Sequence, residues 1–198
     1  MGVSQEVAQE AKAQDVSTFE LVKSGAYKAS VKEVAIFSTA SGAKQLKIGV
    51  TINSLEDKLI EVYQNITKKN GEPNPIGTAT YKHIIDAMGE EGLSVKTEKI
   101  KGYGKEVDAQ CLVGLSNKTI TVLVREVNEP GSTYENTNEI EGYLKADGTN
   151  ADGEDIVPAF IEKIKKTPVL QKKPKAAQAS SGTAGGTTDT TKEIEEML

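Results

Sequence analysis

Hydrophobic and polar positions alternate from Gln45 to Ile52: Leu46, Ile48, Val50 and Ile52 fall on one face, and Gln45, Lys47, Gly49 and Thr51 on the other. Period-two alternation predicts a half-buried β-strand with one face in a core and one in water. The run before it, Ala29 to Phe37, is rich in β-branched and aromatic residues, with its alternation broken near Lys32–Glu33. Ser38-Thr39-Ala40-Ser41-Gly42 between them is turn chemistry, so the two runs read as a β-hairpin whose outer face carries Lys28, Lys32 and Lys47. After the polar connector at 53–57, Lys58 to Thr67 reads as a third strand, with Ile60 and Val62 on one side and Tyr63 and Asn65 on the other. It ends at 68–75, where two prolines and an Asn-Gly step interrupt regular structure.

Thr78 is placed to cap a helix running to Met88, because Tyr81, Ile84, Ile85 and Met88 recur on one helical face and Gly89 and Gly92 suit its exit. Val107 to Leu115 and Thr119 to Val127 alternate again and meet at Ser116-Asn117-Lys118, which predicts a second hairpin. The order strand, strand, strand, helix, strand, strand is that of the five-stranded Greek-key OB-fold barrel, in which one helix lies between the third and fourth strands. The expected fold class is therefore mainly β.

The segment 128–155 reads as loop, with Ile140, Tyr143 and Leu144 as anchors against the barrel. Asp155 to Lys166 reads as a C-terminal helix with Ile156, Phe160, Ile161 and Ile164 on its apolar face and lysines at the end that suits the helix dipole. From Thr167 to Thr191 the chain is low in complexity and short of apolar groups to offset the entropy of ordering, which predicts a flexible linker before a disordered acidic tail. Residues 1–18 read as either a short alanine-rich helix or a mobile arm. The expected division is an N-terminal arm at 1–18, an OB-fold domain with its extension at 19–166, and linker and tail at 167–198.

Charge refines this picture. The formal net charge is −5, yet residues 26–134 carry fourteen basic and thirteen acidic side chains, while 135–170 carry eight acids against four lysines. One cysteine, Cys111, excludes an internal disulfide framework and sits in an apolar alternation, as a small core side chain would. The polar N-terminus does not resemble a signal peptide, and no apolar run reaches membrane-spanning length, so a cytoplasmic protein without membrane partners is expected.

Catalytic chemistry has little to stand on. The single histidine, His83, lies in the predicted helix and reads as a surface or structural residue, and it makes no recognisable nucleophilic pair with Cys111. Gly102-Tyr103-Gly104-Lys105 lacks P-loop spacing and precedes a strand, so it reads as a hinge. The acids at Asp147, Asp152 and Asp155 miss the spacing of a calcium loop and read as a solvated acidic loop. No enzyme, cofactor or metal site is expected.

Binding to single strands asks for cations to meet phosphates and aromatic faces to stack on bases. The candidates for this are Tyr27, Lys28, Lys32, Phe37, Lys47, Tyr63, Lys68, Lys69, Tyr103, Lys105 and Arg125. Against them stand an aromatic content of only 5% and the alternative reading of Phe37 as core and of the lysines as ordinary surface charge. The end of the chain adds a partner-binding candidate, in which Asp189, Glu193, Glu195 and Glu196 steer an encounter and Ile194, Met197 and Leu198 fill a pocket. The same acids could instead lie in the chain's own cationic groove and compete with DNA.

GAYKASVKEVAIFSTASGAKQLKIGVTI, the later NITKKNGEPNPIGTATYKHIIDAMG and the closing KEIEEML together resemble phage single-stranded-DNA-binding proteins, which pair an OB-fold with an acidic C-terminal tail. The resemblance covers residues 20–145 as a pattern and the tail separately. It implies a protein that coats single-stranded DNA in phage replication or recombination, in the host cytoplasm, and whose tail recruits replication or recombination proteins. The chain departs from the family in ending on Met197-Leu198 instead of an aromatic residue. The oligomeric state, a homo-oligomer included, is left open. The rival from another class is a protein-interaction or virion-associated β-barrel.

Overall fold

The computed structural model describes residues 21–174, apart from Asp57. The described residues are mainly β, with eight strands in one open sheet and two helices among them. The predicted first hairpin is present as β1 (Gly25–Ser38) and β2 (Lys44–Ile52), antiparallel along their length. Its turn closes through Gly42, whose φ of 83° lies in the left-handed region that glycine enters without steric cost. The break in alternation at Lys32–Glu33 is a β-bulge: the register shifts between Val31 and Glu33, which returns Val34 to the inner face with Ala29 and Val31.

β3 (Lys58–Asn65) pairs with β2, placing Ile60 inward and Tyr63 and Asn65 outward as the alternation requires. The first helix, α1, spans Pro75–Met88 and starts earlier than Thr78. Asn74 is its cap, accepting a hydrogen bond from the Ile76 N–H at 3.2 Å, and Pro75 occupies the first turn, where a missing N–H costs nothing. Thr78 is instead inside the helix, its hydroxyl donating to the Asn74 carbonyl.

The second half departs further from expectation. β4 (Ser94–Gly102) and β5 (Lys105–Val113) form a hairpin that turns at Tyr103-Gly104. β6 (Thr119–Asn128) does not pair with β5, so the predicted hairpin around Ser116–Lys118 does not form. β1 is long enough to serve both: Ala35–Phe37 pair with β5, while Gly25–Ser30 pair with β6. β7 (Asn136–Leu144), a strand where a loop was expected, pairs with β6 on its far side. Its Tyr143 and Leu144 are buried anchors as predicted.

The second helix, α2, spans Val157–Lys166, with the Asp155 carboxylate accepting from the Val157 N–H. The linker expected from Thr167 begins with ordered chain instead, because β8 (Val169–Gln171) pairs parallel to β6. The N-terminal arm and the acidic tail lie outside the described residues. No helix among the described residues is long and apolar enough to cross a membrane.

The main core lies between β1–β2–β3, β6–β7 and α1, where Leu46, Ile48, Val50, Ile52, Ile84, Ile120, Val122 and Val124 are fully buried. At roughly 1.5–3 kcal/mol per large aliphatic side chain removed from water, this cluster is the main driving force for folding the sheet against α1. Two smaller clusters occupy the opposite face of the sheet. Leu123, Leu144 and Phe160 pack under α2, and Ala35, Phe37, Ala109 and Cys111 pack under the β4–β5 hairpin.

Candidate functional site

That hairpin changes the reading of the outer face. β2 was expected to present Gln45, Lys47 and Thr51 to water, yet all three are buried. Strand register sets Ala35, Lys47 and Tyr63 in one row across β1, β2 and β3, with Phe37, Gln45 and Asn65 in the next. The turn of the β4–β5 hairpin comes down on these rows. Tyr103 stacks on Tyr63 with ring centroids 4.5 Å apart and planes 23° from parallel, and Phe37 meets the Tyr63 ring edge-on. Gly102 lies so close to Phe37 that a side-chain carbon there would stand 3.2 Å from its ring.

Lys47 ties the hairpin to the sheet. Its ammonium reaches Glu33 at 2.6 Å and Glu61 at 2.9 Å, and donates to the Lys101 carbonyl at 3.1 Å. Burial alone would lower its pKa, but hydrogen bonds to the two carboxylates outweigh that and hold it above the ordinary lysine value. The charge is consumed inside the protein, so Lys47 is not a phosphate contact. Burial, followed by the Glu61 charge, raises the Tyr63 phenol.

Two more candidates fall away for the same reason. Phe37 is 4% exposed and belongs to the small cluster under the hairpin. Arg125 is 1% exposed, on the α2 side of β6, with Glu141 at 3.8 Å from its Nε and Lys163 on the other carboxylate oxygen at 2.5 Å. Buried arginine is rare, so a surface role was the natural expectation from sequence.

The rest of the predicted set divides. Tyr27 and Phe37 stand ten residues apart on β1, roughly 33 Å of extended strand. The Tyr27 hydroxyl donates to the Lys23 carbonyl, and burial with the Glu126 charge raises its pKa. Lys28 donates to Thr121 on β6. Lys32, in the bulge, lines a cavity of about 350 Å³ together with Glu33, Glu61 and Glu98, surroundings that repel phosphate.

Tyr63 and Tyr103 come together, with Lys105 on the hairpin beside the Tyr103 turn. Lys68 and Lys69 are exposed in the loop that leaves β3 just beyond Tyr63 and Asn65, Lys68 paired with Glu72 at 3.0 Å and Lys69 in no ion pair among the described residues. Sequence reasoning missed Lys44 and Lys101, both exposed at this end of the sheet: Lys44 opens β2 opposite Ser38, and Lys101 precedes the Gly102-Tyr103 turn. Their signal was available, since each flanks a recognised turn.

Elsewhere the reactive residues have structural surroundings. Cys111 is buried, which raises its thiol pKa, and His83 is exposed on α1. The Asp147 carboxylate accepts hydrogen bonds from the Thr149 N–H and hydroxyl, which lower its pKa and close the acidic loop on itself. No group of three or more His, Cys, Asp or Glu among the described residues is placed to hold a metal ion. No family model matches the chain, and no curated protein is significantly similar to it.

Proposed function

We propose that the chain binds single-stranded DNA without catalysis, through the end of the sheet where the β4–β5 turn meets β3. The observation that carries this reading is Tyr103, 63% exposed and stacked on Tyr63. An exposed aromatic face next to Lys101, Lys105, Lys68 and Lys69 offers a base a surface to stack on and its phosphates nearby cations. Tyr63, covered on one face by Tyr103, is the support, and Tyr103 is the contact.

The fold reading that accompanies this is an OB-fold with an inserted hairpin. β1, β2, β3, α1, β6 and β7 follow the OB-fold order, with β4–β5 inserted between the helix and the fourth barrel strand. β3 and β7, the strands that face each other across the barrel gap, run parallel by the pairing sequence. Coating of single strands in phage replication or recombination, with Glu193–Leu198 recruiting a replication or recombination protein, belongs to the same proposal.

One observation favours the rival reading of a protein-interaction barrel: the cavity beside Lys32 is walled by three carboxylates and the apolar Leu59 and Ile100. Binding of labelled oligothymidine by Tyr103→Ala and by the Lys68→Gln/Lys69→Gln/Lys105→Gln triple variant separates the two. Stacking is worth about 1–3 kcal/mol per base, so Tyr103→Ala should weaken binding at least fivefold. The triple variant should flatten the salt dependence, each lost phosphate contact removing roughly 0.7 from the log–log slope. Unchanged affinity and slope in both variants would remove the hairpin end as the DNA site.

A further inference from the structure

Near the end of β1, Ile36 stands in register with Leu46 of β2 on one side and Gln110 of β5 on the other, and Thr97 of β4 stands opposite Gln110. This row borders a recess of about 250 Å³, with Ile36 beneath and Lys44, Thr97, Asp108 and Gln110 as its polar wall. All four wall residues are exposed, and none of their side chains forms a hydrogen bond or an ion pair among the described residues. Asp108 is the most telling of them. Lys99 faces it across the β4–β5 hairpin and Lys44 lines the same recess, yet it pairs with neither among the described residues. An acceptor flanked by two cations and tied to neither is left open to a donor from outside the chain.

The recess lies at the same end of the sheet as the tyrosine stack. Phe37 is common to both, bordering the recess and meeting the Tyr63 ring edge-on. Asp108 is three residues of strand from Lys105 at the hairpin turn, roughly 10 Å. By strand parity Ile36, Thr97, Asp108 and Gln110 share the sheet face opposite Phe37, so a single strand stacked on Tyr103 reaches them by rounding the end of the sheet past Lys44. Unpaired bases expose their Watson–Crick edges to such contacts. A carboxylate only accepts hydrogen bonds. Cytosine presents an amino donor where thymine presents a carbonyl oxygen, so the same carboxylate attracts the first and repels the second.

We propose that this recess takes an unpaired base that carries an amino group, cytosine in preference to thymine. Asp108 accepts from the amino group, Thr97 and Gln110 donate to the ring's remaining acceptors, and Lys44 and Lys99 meet the flanking phosphates. The inference rests on the binding of single strands proposed above and adds a base preference to it.

The test is titration of the full-length protein with oligodeoxycytidine and oligothymidine of equal length, at slightly alkaline pH where cytosine is neutral. Stacking and backbone flexibility can by themselves favour one pyrimidine, so the informative quantity is how the ratio of the two affinities moves on mutation. Asp108→Asn, whose amide both donates and accepts, should shift that ratio toward thymine by about fivefold or more. Lys44→Gln should weaken both oligonucleotides alike and leave the ratio in place. A ratio that stays within about twofold of the parent's in Asp108→Asn, with both oligonucleotides still bound, would overturn the base preference and leave single-strand binding intact. Binding of neither oligonucleotide by the parent at low salt would overturn single-strand binding itself, and the recess with it.

Discussion

Replacing Lys47 with methionine removes a cation that joins β1, β2, β3 and the β4–β5 turn. The stem is kept in size, but Glu33 and Glu61 are left facing each other across Gly49, and the Lys101 carbonyl loses its donor. Breaking a fully buried pair by removing one partner costs about 3–5 kcal/mol. Here the carboxylate side chains are 27% and 40% exposed, so water recovers part of that and a loss of about 2–3 kcal/mol is expected. For a domain of this size the melting midpoint should fall by roughly 4–12 °C. Thermal melts at pH 7 followed by circular dichroism give the number. Adding Glu33→Gln and Glu61→Gln to Lys47→Met should restore at least half of the loss, since no uncompensated charge then remains. A Lys47→Met midpoint within about 1 °C of the parent, or no recovery in the triple variant, would refute the electrostatic tie.

Three further outcomes follow from the packing and the titrating groups. A side-chain carbon at Gly77 would sit 2.0 Å from the Asn65 carbonyl oxygen, and backbone cannot yield as a side chain does, so Gly77→Ala should cost about 3 kcal/mol or more in denaturant melts. The same change at Gly49, where the nearest atom is 3.4 Å away, should be far milder. Lys118→Met should cost about 1–2 kcal/mol by the same measurement, because its ammonium caps the end of α1 by donating to the carbonyls of Met88, Gly89 and Glu91. Lys47, Tyr63 and Tyr143 all have raised pKa values in the fold, for Tyr143 through burial alone. Groups that hold their protons more tightly when folded contribute stability below their unfolded pKa and lose it as pH rises, so the midpoint should fall from about pH 10 upward. Stability that rises above pH 10 would contradict these environments.

The elements legible in sequence were those whose pattern is local. The alternation of Leu46 to Ile52 gave β2 and its inner face, and the broken alternation at Lys32–Glu33, not read as a bulge from sequence, is where the register shifts. The start of α1 was misread because Pro75 was taken as a breaker, although proline in the first helical turn fits without loss. β7 was missed because NTNEIEGYL is mostly polar and includes Gly142, and its strand character depends on β6 beside it. Nothing local to β2 could reveal that Lys47 and Gln45 are covered, since the cover is a hairpin from more than fifty residues later in the chain. For the same reason half the candidate site dispersed. Lysines and aromatics were assigned to one face by strand parity, whereas the folded-back hairpin buried Phe37 and Lys47, and α2 buried Arg125. Tyr63 and Tyr103, forty residues apart in sequence, came together through that same hairpin.

The most direct test of the central claim is fluorescence anisotropy of a labelled, unstructured oligothymidine titrated with the full-length protein at low and at moderate salt. Tight binding that weakens steeply with salt is expected, with much weaker binding to a duplex of equal length. No binding at low salt, including by a form lacking Thr187–Leu198, would contradict it and leave the protein-interaction barrel as the better reading.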